Sequence, residues 1–226
     1  MNKAIPVLAV LAAAGLAITA YLVFAYAPFE PTLLFNQKIF YWHVSHAFML
    51  FLAVAVCGIC SLVFLKKRTP AWDDFALAGA EVAVLFGAGV LITGSIWAEA
   101  AWDKWWVWEK RLTMSLLLWL TLVGYVLVRR FAGATADRLA AGLAVFGTLA
   151  IPFIYTMVDK GDHHPQAGRE GNVMTLTGPM KVVFWTSVLT FFLWFLTLVL
   201  MRVQSARGER EVRELREKGL DAGVFT

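Results

Sequence analysis

Charge is what this sequence has least of. Acidic and basic residues make up 16% of its 226 residues, where a soluble domain carries roughly a quarter. With 60% hydrophobic residues, that scarcity excludes an ordinary soluble globule and a disordered chain alike. Cysteine is rarer still: Cys57 and Cys60 are the only two, too few for a disulfide scaffold. The chain has no nucleophile–base triad, no glycine-rich phosphate loop and no thiolate metal cluster. It therefore carries no ATPase motif, cannot itself power transport, and is not read as an enzyme. The formal charge of +4 does not argue for nucleic acid, because the basic residues must first be sorted by membrane side. No nucleic-acid partner is expected.

What is present is a series of long apolar runs. Crossing the hydrocarbon core as a helix takes about 20 mainly apolar residues. Six segments qualify, at approximately 5–27, 39–65, 75–98, 112–129, 139–158 and 182–201. A helix keeps its backbone hydrogen bonds internal, and the alternation that would mark a transmembrane β-barrel is absent. The expected fold is an all-α polytopic membrane protein with a six-helix membrane domain over residues 1–203. A charged tail follows at 204–226, without internal repeats, low-complexity stretches or a second domain.

Basic residues set the orientation. With the N-terminus in the cytoplasm, seven of the 20 Lys and Arg residues fall outside: Lys38, Lys104, Lys110, Arg111, Lys160, Arg169 and Lys181. The rest fall inside, including Lys66-Lys67-Arg68, Arg129, Arg130 and the basic residues of the tail. Both termini are therefore expected in the cytoplasm. The apolar run of the first span exceeds the signal-peptide core of about 7–15 residues, so a retained anchor is expected despite a cleavage-like Ala25-Tyr26-Ala27. The tail reads as a charged helix with i,i+4 pairs such as Glu209 with Arg213. It is either solvated, the favoured reading, or a docking helix for a cytosolic subunit.

Ten tryptophans are the other anomaly, and their placement matters more than their number. Trp102, Trp105, Trp106 and Trp108 fall within the external segment 97–113, between helices three and four. At helical spacing the first three share a face, with Trp108 beside Trp105. One explanation is an aromatic belt at the membrane boundary. The other is a binding platform, since Lys104, Lys110 and Arg111 edge the cluster and suit a flat apolar ligand bearing carboxylates. Histidine is limited to His43, His46, His163 and His164, all on or near the outer side in the six-helix reading. A lone histidine near a helix end is commonly structural. Two separate histidine sites on one membrane side, flanking a tryptophan platform, match what an iron porphyrin needs: axial nitrogens, a stacking surface and cations for propionates.

Cys57 and Cys60 have redox-like C-x-x-C spacing. They lie mid-helix in an apolar run with no basic neighbour to favour thiolate, so buried packing residues are expected. Glu81, near the cytoplasmic end of helix three, either snorkels to the interface or meets a partner.

Trp105-Trp106-Val107-Trp108-Glu109-Lys110-Arg111-Leu112-Thr113 resembles the tryptophan-rich signature of the haem-handling proteins of cytochrome c maturation, specifically the haem exporter protein C family. Thr93-Gly94-Ser95-Ile96-Trp97 and Trp102 fit the family's lead-in, and Lys38-Ile39-Phe40-Tyr41-Trp42-His43-Val44 resembles the segment holding its first external histidine. His164-Pro165 resembles the second. The family's usual glycine after its tryptophan is Asp103 here, its usual aspartate is Glu109, and the proline usual two residues after the first histidine is Ser45.

The resemblance implies a subunit of the bacterial-type cytoplasmic (inner) membrane that binds haem b transiently, as cargo, at its extracytoplasmic face. His43 and His164 (with His163 as the alternative) would be the axial iron ligands. Trp102, Trp105, Trp106 and Trp108 would support the porphyrin, and Arg111 and Lys110 would pair with propionates. It further implies delivery to a membrane-anchored haem chaperone, in a complex with an ABC-type ATPase subunit, a second membrane subunit and a small single-span subunit. Two other readings of the residues are a permease-type subunit without haem ligation and a cytochrome b-like electron carrier. The latter would need histidines at two depths on facing helices, and helices one, three, four and six contain none.

Overall fold

The computed structural model describes residues 3–29, 34–132, 137–156, 176 and 178–223. These residues form six helices: α1 (Ala4–Tyr21), α2 (Gln37–Lys67), α3 (Pro70–Trp102), α4 (Lys110–Phe131), α5 (Asp137–Thr156) and α6 (Gly178–Asp221). The chain is all-α, as expected. The helices starting at Ala4, Gln37, Pro70, Lys110 and Gly178 are long and apolar enough to cross a membrane, whereas the apolar part of α5 is the shorter stretch Arg138–Ile154. The protein is thus a multi-pass membrane protein.

Local sequence explains where the helices stop. α1 widens into a π-helical turn, Leu22–Tyr26, and Ala27 leaves it extended at ψ 131°. Pro28 follows, and a residue before proline is driven out of the helical region. α2 ends on Lys66 and Lys67, with Arg68 left-handed at φ 56° and its N–H on the Phe64 carbonyl. Cations at a helix C-terminus oppose the macrodipole favourably. Extended Thr69 and Pro70 at the first position then start α3, where proline's missing N–H is not needed. This two-residue corner folds α2 and α3 into an antiparallel hairpin, the most extensive helix pairing in the molecule.

Small residues bring that pair together. A Cβ on Gly79 would stand 2.8 Å from the Cys57 amide nitrogen and 3.0 Å from the Ala53 carbonyl oxygen. Backbone therefore meets backbone, the mode of association favoured where lipid supplies no hydrophobic drive between helices. Cys57 is fully buried and Cys60 nearly so, both as free thiols, as expected of packing residues. A core of Met49, Leu50, Val54, Val82, Phe86, Leu118, Leu122 and Phe195 ties the hairpin to α4 and α6.

Charges gather at one end, hereafter the basic end. Asp73, in the first turn of α3, pairs with Arg129 of α4 at 2.5 Å. Its neighbour Asp74, only 5% exposed, takes Arg210 at 3.1 Å and Arg207 at 3.9 Å from α6. Glu81 has a partner within the chain: Arg202 of α6 donates to it at 2.5 Å. The charged segment after residue 203 is the unbroken continuation of α6, which runs 44 residues from Gly178 to Asp221. Residues 211–218 of that extension are exposed.

Candidate functional site

The opposite end of the bundle carries the tryptophans and His43. Its framework is tied by side chains that reach backbone carbonyls. Asn36 Nδ2 donates to Ala100 O at 2.9 Å, joining the start of α2 to the end of α3. Lys38 turns inward, 3% exposed, donates to Ala27 O at 2.5 Å and lies 4.9 Å from the Phe29 ring centre. It therefore caps the end of the first helix rather than facing the solvent.

His43 is half-buried on the second turn of α2, facing α3. Its Nδ1 lies 2.9 Å from Thr93 Oγ1, and the Thr93 hydroxyl donates to Gly89 O at 2.6 Å. The ring rests on Gly94, where a Cβ would come 3.2 Å from Cε1. His46, three residues on, is held differently. Its Nδ1 meets the Trp42 carbonyl at 2.8 Å, and its ring packs 4.5 Å from Phe191 and 5.8 Å from Phe86. A Cβ on Gly89 would be 2.4 Å from its Cδ2, so His46 fills a notch in α3 as a packing residue. Among the described residues no three His, Cys, Asp or Glu side chains gather as a metal site.

The tryptophan segment differs from the sequence expectation. Trp102, Trp105, Trp106 and Trp108 do not form one helical stripe, because α3 ends at Trp102. Asp103 adopts the left-handed conformation, φ 53° and ψ 35°, and its N–H closes the helix on Glu99 O. Left-handed backbone is open to glycine and, among other residues, best tolerated by Asn and Asp, so Asp103 suits the turn it makes. Residues 103–109 are non-helical. The indoles instead form two edge-to-face pairs, Trp97 with Trp102 at 5.0 Å and Trp106 with Trp108 at 5.8 Å. Trp105 and Trp108 are 63% and 76% exposed. Trp106 is half-buried, and its buried Nε1 has no hydrogen-bond acceptor among the described residues.

Lys110 and Arg111 occupy the first turn of α4, which holds no acid. That position is electrostatically unfavourable for cations, since the helix N-terminus already carries positive partial charge. Two cations there make a local field that attracts anions. Beside them a cleft of about 400 Å³ is lined by Trp108, Glu109, Lys110, Thr113, Met114 and Phe153. It brings together two of the expected site residues, Trp108 and Lys110, and adds Met114 and Phe153. His163 and His164 lie outside the described residues.

The family model described as Heme exporter protein C matches this chain over residues 1–218. The chain belongs to the Heme exporter protein C family. It is 31% identical to Heme exporter protein C of Bradyrhizobium diazoefficiens over 182 residues, covering 79% of this chain and 69% of that protein. It is 29% identical to Heme exporter protein C of Escherichia coli K12 over 192 residues, covering 80% and 75%. The corresponding protein of Paracoccus denitrificans is 27% identical over 183 residues, covering 79% and 76%.

Within this Heme exporter protein C family member, Thr93, Gly94 and Trp97 are more than a lead-in to the tryptophan signature. Thr93 and Trp97 are spaced i,i+4 and so share one face of α3. Thr93 meets His43, and Trp97 meets Trp102. The available signal was a hydroxyl and a glycine adjacent in an apolar helix, opposite a histidine; the α2–α3 register was needed to read it.

Proposed function

We propose that this protein binds haem at the extracytoplasmic face of the cytoplasmic membrane and delivers it to a membrane-anchored haem chaperone during cytochrome c maturation. In this reading the chain crosses the membrane six times with both termini inside. It works beside an ABC-type ATPase subunit, a second membrane subunit and a small single-span subunit. It provides binding and orientation, and the group that bonds to haem belongs to the chaperone. The names of its relatives support a role in haem handling.

The observation that carries the reading is the gathering at one end of the bundle of a held imidazole, exposed indoles and N-terminal helix cations. Haem b, as cargo, would take His43 on one face of its iron and His164 (alternatively His163) on the other. Trp102, Trp105, Trp106 and Trp108 would meet the porphyrin, and Arg111 and Lys110 its propionates. Thr93, which meets His43, and Trp102 both lie on α3, so one helix would carry both the support of the imidazole and the first of the indoles. A propionate oxygen would also satisfy the buried Trp106 Nε1–H, which costs about 1–3 kcal/mol if left unpaired.

The test is the absorption spectrum of the purified protein, wild type beside His43→Ala and His164→Ala. Bis-imidazole haem in the wild type, and reduced occupancy in each variant, is the expected result. Wild-type haem content in both variants would remove the ligand assignment.

A further inference from the structure

The hydrogen bonds around His43 have a definite direction. A threonine hydroxyl has one proton, and that of Thr93 goes to Gly89 O at 2.6 Å, with Val90 O more distant at 3.4 Å. Toward His43 the Thr93 oxygen can therefore only accept. The 2.9 Å contact then calls for a proton on Nδ1, because a bare Nδ1 would set lone pair against lone pair. In the neutral ring, the form that ligates a metal, the nitrogen left to bind iron is Nε2. Gly94 lets the ring approach α3 closely enough for this contact. Gly89 itself is held by His46, whose ring presses on its Cα side between Phe86 and Phe191.

We propose that Thr93 is a positioning residue for haem binding: by accepting from His43 Nδ1–H and donating to Gly89 O, it fixes the tautomer and plane of the imidazole and strengthens Nε2 as a ligand. The inference rests on the reading of His43 as an iron ligand. Hydrogen bonds to the far nitrogen of a ligating histidine raise its basicity, and their loss typically weakens metal binding by about 10–100-fold. Thr93 touches neither iron nor porphyrin in this role. A more electron-rich imidazole also favours ferric iron, so the Thr93 contact lowers the reduction potential.

The experiment uses the full-length protein in detergent, titrated with haem b. Thr93→Val keeps the shape and removes the hydroxyl, and Thr93→Ser restores the hydroxyl. Thr93→Val is expected to bind haem at least about 10-fold more weakly, with a reduction potential shifted upward, while Thr93→Ser stays near wild type in both. Wild-type affinity and potential in Thr93→Val, while His43→Ala loses haem, would overturn the inference and leave the ligand reading standing. A loss in Thr93→Ser equal to that in Thr93→Val would show that the hydroxyl is not what matters, assign Thr93 to the fold, and also overturn it. Undiminished haem in His43→Ala would overturn the ligand reading, and the inference with it.

Discussion

His43 and Asp103 are each held by a local constraint with a measurable consequence. The ring of His43 is flanked by the Cα of Gly94, where even a methyl carbon would stand 3.2 Å from Cε1. Gly94→Val adds two further carbons and drives the imidazole off Thr93. Haem occupancy of the purified variant should fall several-fold, on the scale of about 10-fold for loss of a ligand's outer hydrogen bond, and pyridine haemochrome content would register it. At Asp103 the constraint is backbone conformation, φ 53°. A β-branched residue is a true outlier there, and left-handed backbone costs roughly 1–2 kcal/mol for a side chain without local hydrogen bonding. Asp103→Val should lower the thermal midpoint in detergent by a few degrees, whereas Asp103→Gly should leave it nearly unchanged. Equal midpoints for the two variants would show that the turn does not constrain the tryptophan segment.

At the scale of the helices, the telling element is the end of α6. Beyond residue 203 its larger apolar side chains, Val212, Leu215 and Leu220, are exposed, and Asp74 holds its flank through Arg210 and Arg207. The arginines are partly exposed but Asp74 is buried, so removing both is worth at least about 1 kcal/mol, or roughly a five-fold change in local opening. Arg207→Ala with Arg210→Ala should speed tryptic cleavage after Arg213 and Arg216 by about that factor, while cleavage between the transmembrane helices stays unchanged. Much of this architecture is legible in the sequence, because lipid demands long uncharged runs and Gly/Pro/charge signals punctuate them. The packing role of Cys57 and Cys60 is of that kind, whereas α3 starts at Pro70, ahead of the expected 75, because its first turn carries charge that a search for apolar runs passes over. The continuity of α6 is harder to see, since hydropathy collapses after Met201 while helix propensity does not. Glu81 cannot be paired from sequence, as Arg202 lies 121 residues away. The spacing of Trp102, Trp105 and Trp106 fits a helical face, and only the left-handed Asp103 breaks it, so the sequence pattern points to a stripe that does not form. Thr93 is hidden for the same reason as Glu81: its partner is on another helix, and helical register is a tertiary property.

For the whole molecule, the proposed function depends on sidedness. The basic end carries Lys66, Lys67, Arg129, Arg130 and the α6 extension, while the tryptophan end carries His43, Lys110 and Arg111. Cytoplasmic segments are enriched in Lys and Arg, and the proposed orientation, basic end inward and indoles outward, follows that rule. A span count of six, with α5 completing a crossing, then returns residues 163–164 to the tryptophan side, where two imidazoles could share one iron. Five crossings would place the segment after α5 elsewhere and separate the histidines by the bilayer. The native thiols make the test clean: Cys57 and Cys60 are buried, and Cys57→Ser with Cys60→Ser gives a thiol-free background. Single cysteines introduced by Trp105→Cys, His164→Cys and Glu211→Cys would be treated in intact cells with a membrane-impermeant maleimide. Residues 105 and 164 should both react from outside, and residue 211 only after the membrane is permeabilised. If residue 164 instead reacts only alongside residue 211, no single haem can be held by His43 and His164.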